Sequence, residues 1–149
     1  MNIMVLEDDP NAMGIIDYLQ NLGYEVWHAQ EILDVAYFFE EDPGLDNFNK
    51  LMFDAEVEGV PSSFKENGKF NFFTKGRFSG LEFVIENYDI LKTKSIAVIT
   101  AYNKEICQSK FNNMRSKNIL DKLIIIDKSS DNFMTQLLQF INDNEENYV

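Results

Sequence analysis

Residues 1–10 read Met1-Asn2-Ile3-Met4-Val5-Leu6-Glu7-Asp8-Asp9-Pro10. The apolar run 3–6 has no polar break and stops at three acids. So short and continuous a run suits a strand buried on both faces rather than one that alternates between core and water. Four further runs have the same character, at 26–29, 51–55, 96–100 and 123–127. Between them the spacing turns helical. Ile15, Leu19 and Leu22 mark a first helical face, and Ile32, Ala36 and Phe39 a second. Leu81, Val84, Ile85 and Tyr88 mark a third, Ile106, Phe111 and Met114 a weaker fourth, and Met134, Leu137, Leu138 and Ile141 a fifth. Strand and helix alternate five times, which predicts an α/β fold: a doubly wound five-stranded parallel sheet with helices on both faces.

Length and composition fit this reading. The chain has 149 residues, 45% of them hydrophobic and 26% charged, which suits one ordinary domain over 1–149 with a sizeable core. Thirteen Lys and Arg against 25 Asp and Glu give a formal charge of −12, which argues against nucleic acid and against an acidic membrane as partner. The N-terminus has no basic start, no apolar stretch approaches a membrane span, and the single cysteine, Cys107, forms no internal disulfide. The expected setting is cytoplasmic. The polar tail at 143–149 is expected to fray.

One segment breaks the rhythm. Residues 55–79 number 25, where a strand-to-helix loop needs about 2–6. Within them Asn67-Gly68 separates two β-prone stretches, 62–66 and 69–73, which predicts a β-hairpin insert after the third strand. Its cations (Lys65, Lys69, Lys75, Arg77) and aromatics (Phe64, Phe70, Phe72, Phe73, Phe78) leave two readings open, a surface decoration and a partner-binding element.

In an open parallel sheet the strands end on a common rim, and ligands bind there. Strand one ends in Glu7-Asp8-Asp9, strand three in Asp54 and strand four in Thr100, and Lys128 follows strand five. Strand two ends in the neutral Ala29-Gln30. With that strand at an edge, the other four ends converge. Close carboxylates raise one another's pKa unless a cation offsets them, and Mg²⁺ takes one or two carboxylates plus waters and phosphate oxygens. An Asp beside such an ion can accept a phosphoryl group, and a Lys and a Thr hydroxyl can hold its oxygens. Asp9 before Pro10 reads as a helix cap, His28 as a packing residue, and Cys107 as a buried or half-buried helix residue.

The stretches Val5-Leu6-Glu7-Asp8-Asp9-Pro10, Met52-Phe53-Asp54, Gly80-Leu81-Glu82-Phe83, Val98-Ile99-Thr100-Ala101 and Ile126-Asp127-Lys128 resemble the receiver domain of two-component response regulators. The resemblance implies the flavodoxin-like strand order 2-1-3-4-5. It implies Asp54 as phospho-acceptor, and Glu7, Asp8, Asp54 and the backbone carbonyl of Glu56 as the Mg²⁺ site. Thr100 and Lys128 would contact the phosphoryl group, with Ala101 as the small residue beside the hydroxyl. The implied partners are a histidine kinase or phosphotransfer protein and a downstream protein, the chain being a monomer or homodimer. No effector domain follows in the sequence, so output would pass through a partner. Three features depart from the family pattern. Pro61 and Gly80 stand apart from Asp54 across the insert, Ser129 replaces a proline after Lys128, and Ile125 occupies an aromatic switch position, for which Tyr102 is a substitute. The alternative is a receiver-like interaction module that is not phosphorylated. A Mg²⁺-dependent phosphatase would use Glu56 as a second acid, but the Gly and Thr context of that class is lacking, and no enzymatic turnover is expected.

Overall fold

The computed structural model describes residues 1–9, 13–59, 70, 78–101, 104–114 and 123–143. In chain order these form β1 (Asn2–Leu6), α1 (Met13–Asn21), β2 (Glu25–Ala29), α2 (Ile32–Glu40), a 3-10 turn (Leu45–Asn47), β3 (Lys50–Asp54), α3 (Ser79–Glu86), the short α4 (Tyr88–Leu91), β4 (Ser95–Thr100), α5 (Lys104–Met114), β5 (Leu123–Asp127) and α6 (Phe133–Asn142). All five apolar runs are strands. They pair in parallel as one sheet in the order β2-β1-β3-β4-β5. The central strands β3 and β4 are buried throughout, whereas the edge strands β2 and β5 are partly exposed, so the continuous runs track position in the sheet.

Alternation along each strand feeds two cores. Met4, Leu6, Leu51, Phe53, Ile96, Val98 and Ile125 face one side, against residues of α2, α3, α4 and α5. Ile3, Val5, Met52, Ala97, Ile99 and Ile126 face the other, against Ile16 and Leu19 of α1 and Leu137, Phe140 and Ile141 of α6. The helical faces differ in detail from the sequence pattern. Ile16 replaces Leu22 on the buried stripe of α1, and Leu22 is exposed beyond the helix end. Cys107 is buried, within what the sequence reading expected of it, whereas Ile106 and Met134 are exposed. At Ile106 the register slips by one position, because an apolar residue next to a stripe scores like a member of it.

At the opposite rim from the acids, Lys50 is buried at the start of β3. Its Nζ donates to the Asp143 carbonyl at 2.8 Å and lies 4.9 Å from the Phe140 ring centroid. A cation thus meets the carbonyl end of α6, where the helix dipole favours it. Among the described residues, no helix is long and apolar enough to cross a membrane.

The long connection after β3 closes on itself. The Ala55 N–H donates to the Ile99 carbonyl at 2.8 Å, and the Ala55 carbonyl accepts the N–H groups of Gly80 at 3.2 Å and Leu81 at 3.4 Å. The chain therefore leaves the sheet and returns to the same place. Only glycine fits at the return: a Cβ at Gly80 would stand 1.8 Å from the Asp54 carbonyl oxygen. Within the excursion, Phe70 is 2% exposed and stacks on Phe83 (5.8 Å, 21°) and against Phe39 (5.5 Å). At Phe70 the insert is core, not decoration. The remainder of the predicted hairpin, together with Pro10, Tyr102 and the tail from residue 144, lies outside the described residues.

Phe70→Ala is expected to cost about 3–5 kcal/mol, as for a buried aromatic, in urea unfolding followed by circular dichroism. A cost under about 0.5 kcal/mol would return the insert to a surface role. Gly80→Ala is expected to lose about 1–3 kcal/mol, since the opposing atom is backbone and cannot rotate away.

Candidate functional site: an acidic rim facing one lysine

Backbone bonds that continue the sheet past its strands hold the site. The Glu7 N–H donates to the Ala29 carbonyl (2.9 Å), the Ala55 N–H to Ile99 (2.8 Å) and the Lys128 N–H to Thr100 (2.8 Å). The half-buried His28 adds a contact between Nε2 and the Glu7 carbonyl at 2.9 Å, so its part is structural. Residues just beyond the strands thus inherit the precision of the sheet.

Glu7, Asp8 and Asp54 come together, each offering a carboxylate oxygen within 4.8 Å of the others. Glu7 and Asp54 are buried, 4% and 5% exposed, while Asp8 is exposed. Lys128 reaches between the two buried acids, with Nζ 2.5 Å from Glu7 Oε2 and 3.5 Å from Asp54 Oδ2. The Asp9 N–H donates to Glu7 Oε1 at 3.1 Å, and the Glu56 N–H to Asp54 Oδ1 at 3.0 Å. The cluster joins the three carboxylates expected from the sequence, and the side chain of Glu56, a residue expected there through its backbone carbonyl, accepts the Thr100 hydroxyl on Oε1. Thr100 is fully buried. Burial, the largest influence, pushes the Cys107 thiol up to about 11, against an opposing pull from the nearby Thr100 side chain.

The electrostatics follow from a count. Three carboxylates and one ammonium sum to −3 + 1 = −2 when all are ionised. Burial raises the Glu7 pKa to about 7, helped by its hydrogen bond with Asp54 and opposed by Lys128. Burial also raises Asp54, against the pull of Glu7 and Lys128. Asp8 is raised by burial and by the Glu7 charge. Burial alone would lower Lys128, but Glu7 and Asp54 outweigh it and raise it. Fully ionised, the rim carries two negative charges that Lys128 does not offset, and burial favours a proton on Glu7. Hard, oxygen-only donors of this number suit Mg²⁺ or Ca²⁺ rather than a softer metal.

Sequence reading missed three contacts here: Glu56 with Thr100, Cys107 with Thr100, and Gly80 with the Asp54 backbone. The first two depend on the register of β3 against β4 and on the rotation of α5, which leave no local pattern. The third had a signal, a glycine opening a helix.

No protein-family model and no curated protein matches the chain. Solved structures do. A CheY-like response regulator receiver domain protein from Methanospirillum hungatei JF-1 is similar at 18% identity and a TM-score of 0.58, over 94% of this chain and 89% of that one. The response regulator TrrA from Thermotoga maritima, solved in complex with Mg²⁺-BeF, is similar at 22% and 0.54, over 93% and 97%. The receiver domain of the hybrid histidine kinase CckA is similar at 16% and 0.56, over 95% and 100%. Identities this low carry the fold.

Glu7 releases its proton near 4.5 in an unfolded chain and near 7 in the fold. Across that window the folded state binds the extra proton, so stability falls as pH rises. In divalent-free buffer, the urea midpoint should therefore decline from pH 4.5 to pH 7. Glu7→Gln should flatten most of that slope, and an unchanged slope would locate the titration elsewhere.

Proposed function

We propose that this chain, whose fold is that of response regulator receiver domains, is a phosphoreceiver that accepts a phosphoryl group on Asp54 and switches a protein-binding surface. The observation that carries the reading is the placing of a buried carboxylate, a second buried acid and one lysine at the end of the central strand. In the transfer, an Asp54 carboxylate oxygen attacks phosphorus of a phosphohistidine donor, the P–N bond breaks, and the imidazole leaves with its electron pair and takes a proton. Lys128, already within reach of both acids, would meet a phosphoryl oxygen by charge and hydrogen bond. Thr100 would supply a hydroxyl donor to another. Glu7, Asp8 and Asp54, with the Glu56 backbone carbonyl, would hold Mg²⁺, which when bound would neutralise charge on the phosphoryl oxygens.

The donor we infer is a histidine kinase or phosphotransfer protein rather than a metabolite. A groove of about 450 Å³ opens beside Lys128, with Ile15 and Tyr18 of α1 on one side and Phe133 and Met134 of α6 on the other. An apolar groove at the mouth of a charged site suits a protein surface. The setting we propose is cytoplasmic, the output partner a protein, and the chain a monomer or homodimer over 1–149 that carries out no turnover of its own.

Incubation with Mg²⁺ and a small phosphodonor, read by intact mass, should add one phosphoryl group to the wild type and none to Asp54→Asn. Absence of label under conditions that modify a control receiver would favour an unphosphorylated interaction module. Mg²⁺ affinity should weaken as pH falls below 7, because the ion competes with the Glu7 proton.

A further inference from the structure

The Thr100 hydroxyl is already in use. It is fully buried and donates to Glu56 Oε1, while Glu56 Oε2 is buried with no hydrogen-bond partner among the described residues. The backbone of the same residue serves the phosphoryl site, since the Glu56 N–H donates to Asp54 Oδ1 at 3.0 Å. Glu56 therefore holds Asp54 through its main chain and Thr100 through its side chain. It has little freedom to do otherwise. Ala55 before it is tied to Ile99 at 2.8 Å, and Val57 after it is packed into the core at 2% exposure.

We propose that Glu56 is a positioning residue that latches Thr100: its carboxylate holds the hydroxyl while Asp54 is unmodified, and loading of Asp54 takes the hydroxyl from it. The inference rests on the phosphoreceiver reading and names how that site is regulated. A threonine hydroxyl has one proton and can serve one acceptor at a time. A carboxylate with a single donor in a poorly solvated place holds that donor strongly, because no water replaces it. A phosphoryl oxygen competes for the same proton, so two arrangements of Thr100 exist and the ligand shifts the population between them. The change is felt beyond the site. The fully buried Cys107 of α5 is close enough to Thr100 for the threonine to influence its thiol, which relates the hydroxyl to that helix. Ile125 is buried on the same face of the sheet and carries no polar group to take such a part.

Two measurements on the full chain decide the proposal. The first needs no phosphate: side-chain NMR couplings of Thr100 in the free protein. Wild type and Glu56→Gln, which keeps an acceptor, should show one fixed rotamer, and Glu56→Ala an average. A fixed rotamer in Glu56→Ala overturns the latch. The second is the affinity for Mg²⁺ with fluoroberyllate in a double-mutant cycle. Glu56→Ala should tighten binding up to about tenfold in the wild-type background, the weight of one charge-assisted hydrogen bond. In the Thr100→Ala background the same change should be under about twofold. Equal gains in both backgrounds would mean that Glu56 acts by charge repulsion alone, and overturn the latch. If the wild type does not bind fluoroberyllate at all, the phosphoreceiver reading fails, and the rotamer measurement still decides whether Glu56 holds Thr100.

Discussion

The ammonium of Lys128, set between Glu7 and Asp54, is the interaction on which the rest of the rim depends. Parallel strands deliver their ends to the same edge, so β1 and β3 place two buried carboxylates side by side whatever their charge. Each would lose several kcal/mol of hydration there without a partner. Lys128 offsets one of them and is itself positioned by a sheet-like bond to Thr100. The second charge has no such partner, and burial favours a proton on Glu7. The tension is confined to a few residues, because the strands beneath are packed on both sides by apolar side chains.

That packing explains how a long excursion can follow the central strand without disturbing its end. Closing a flexible loop costs about (3/2)RT ln n, so added residues cost little once the ends are fixed. Here the ends are fixed by the Ala55 carbonyl, which accepts from both Gly80 and Leu81, and by the absence of a side chain at Gly80. Phe70 adds a third attachment between Phe39 and Phe83. Phe53, adjacent to Asp54, packs on the same two rings at 6.5 and 5.9 Å. The aromatic layer on this face of the sheet therefore runs from the insert to the residue before the proposed acceptor.

The strands were legible because burial on both faces forces an unbroken apolar run, a signal that needs no partner to interpret. The rim was legible for the same reason, since charged residues at the ends of such runs have one place to go. Helix faces were less so. On α1 the pattern ran on to Leu22, past the helix end, and on α5 it included the exposed Ile106 beside the buried Cys107, so that only the packing of each helix on the sheet fixes its stripe. The side-chain role of Glu56 was not legible at all. Nothing in its neighbours announces a contact with Thr100, 44 residues away, which exists because β3 and β4 pair with Asp54 opposite Ile99.

The surplus of acids acquires a location from this geometry. Beside the rim, the exposed Asp8 lines a cleft with Gln30, Glu31, Asp34 and Glu58. The Asp34 carboxylate accepts the N–H groups of Gln30 and Glu31 and so caps the start of α2, whereas Asp8, Glu31 and Glu58 add to a negative potential. Fields of this kind reach about 8 Å at physiological ionic strength. A cation approaching along that cleft is concentrated before it meets the buried acids. The net charge of −12 is thus uneven in effect: a small share of it is gathered at the rim around Lys128.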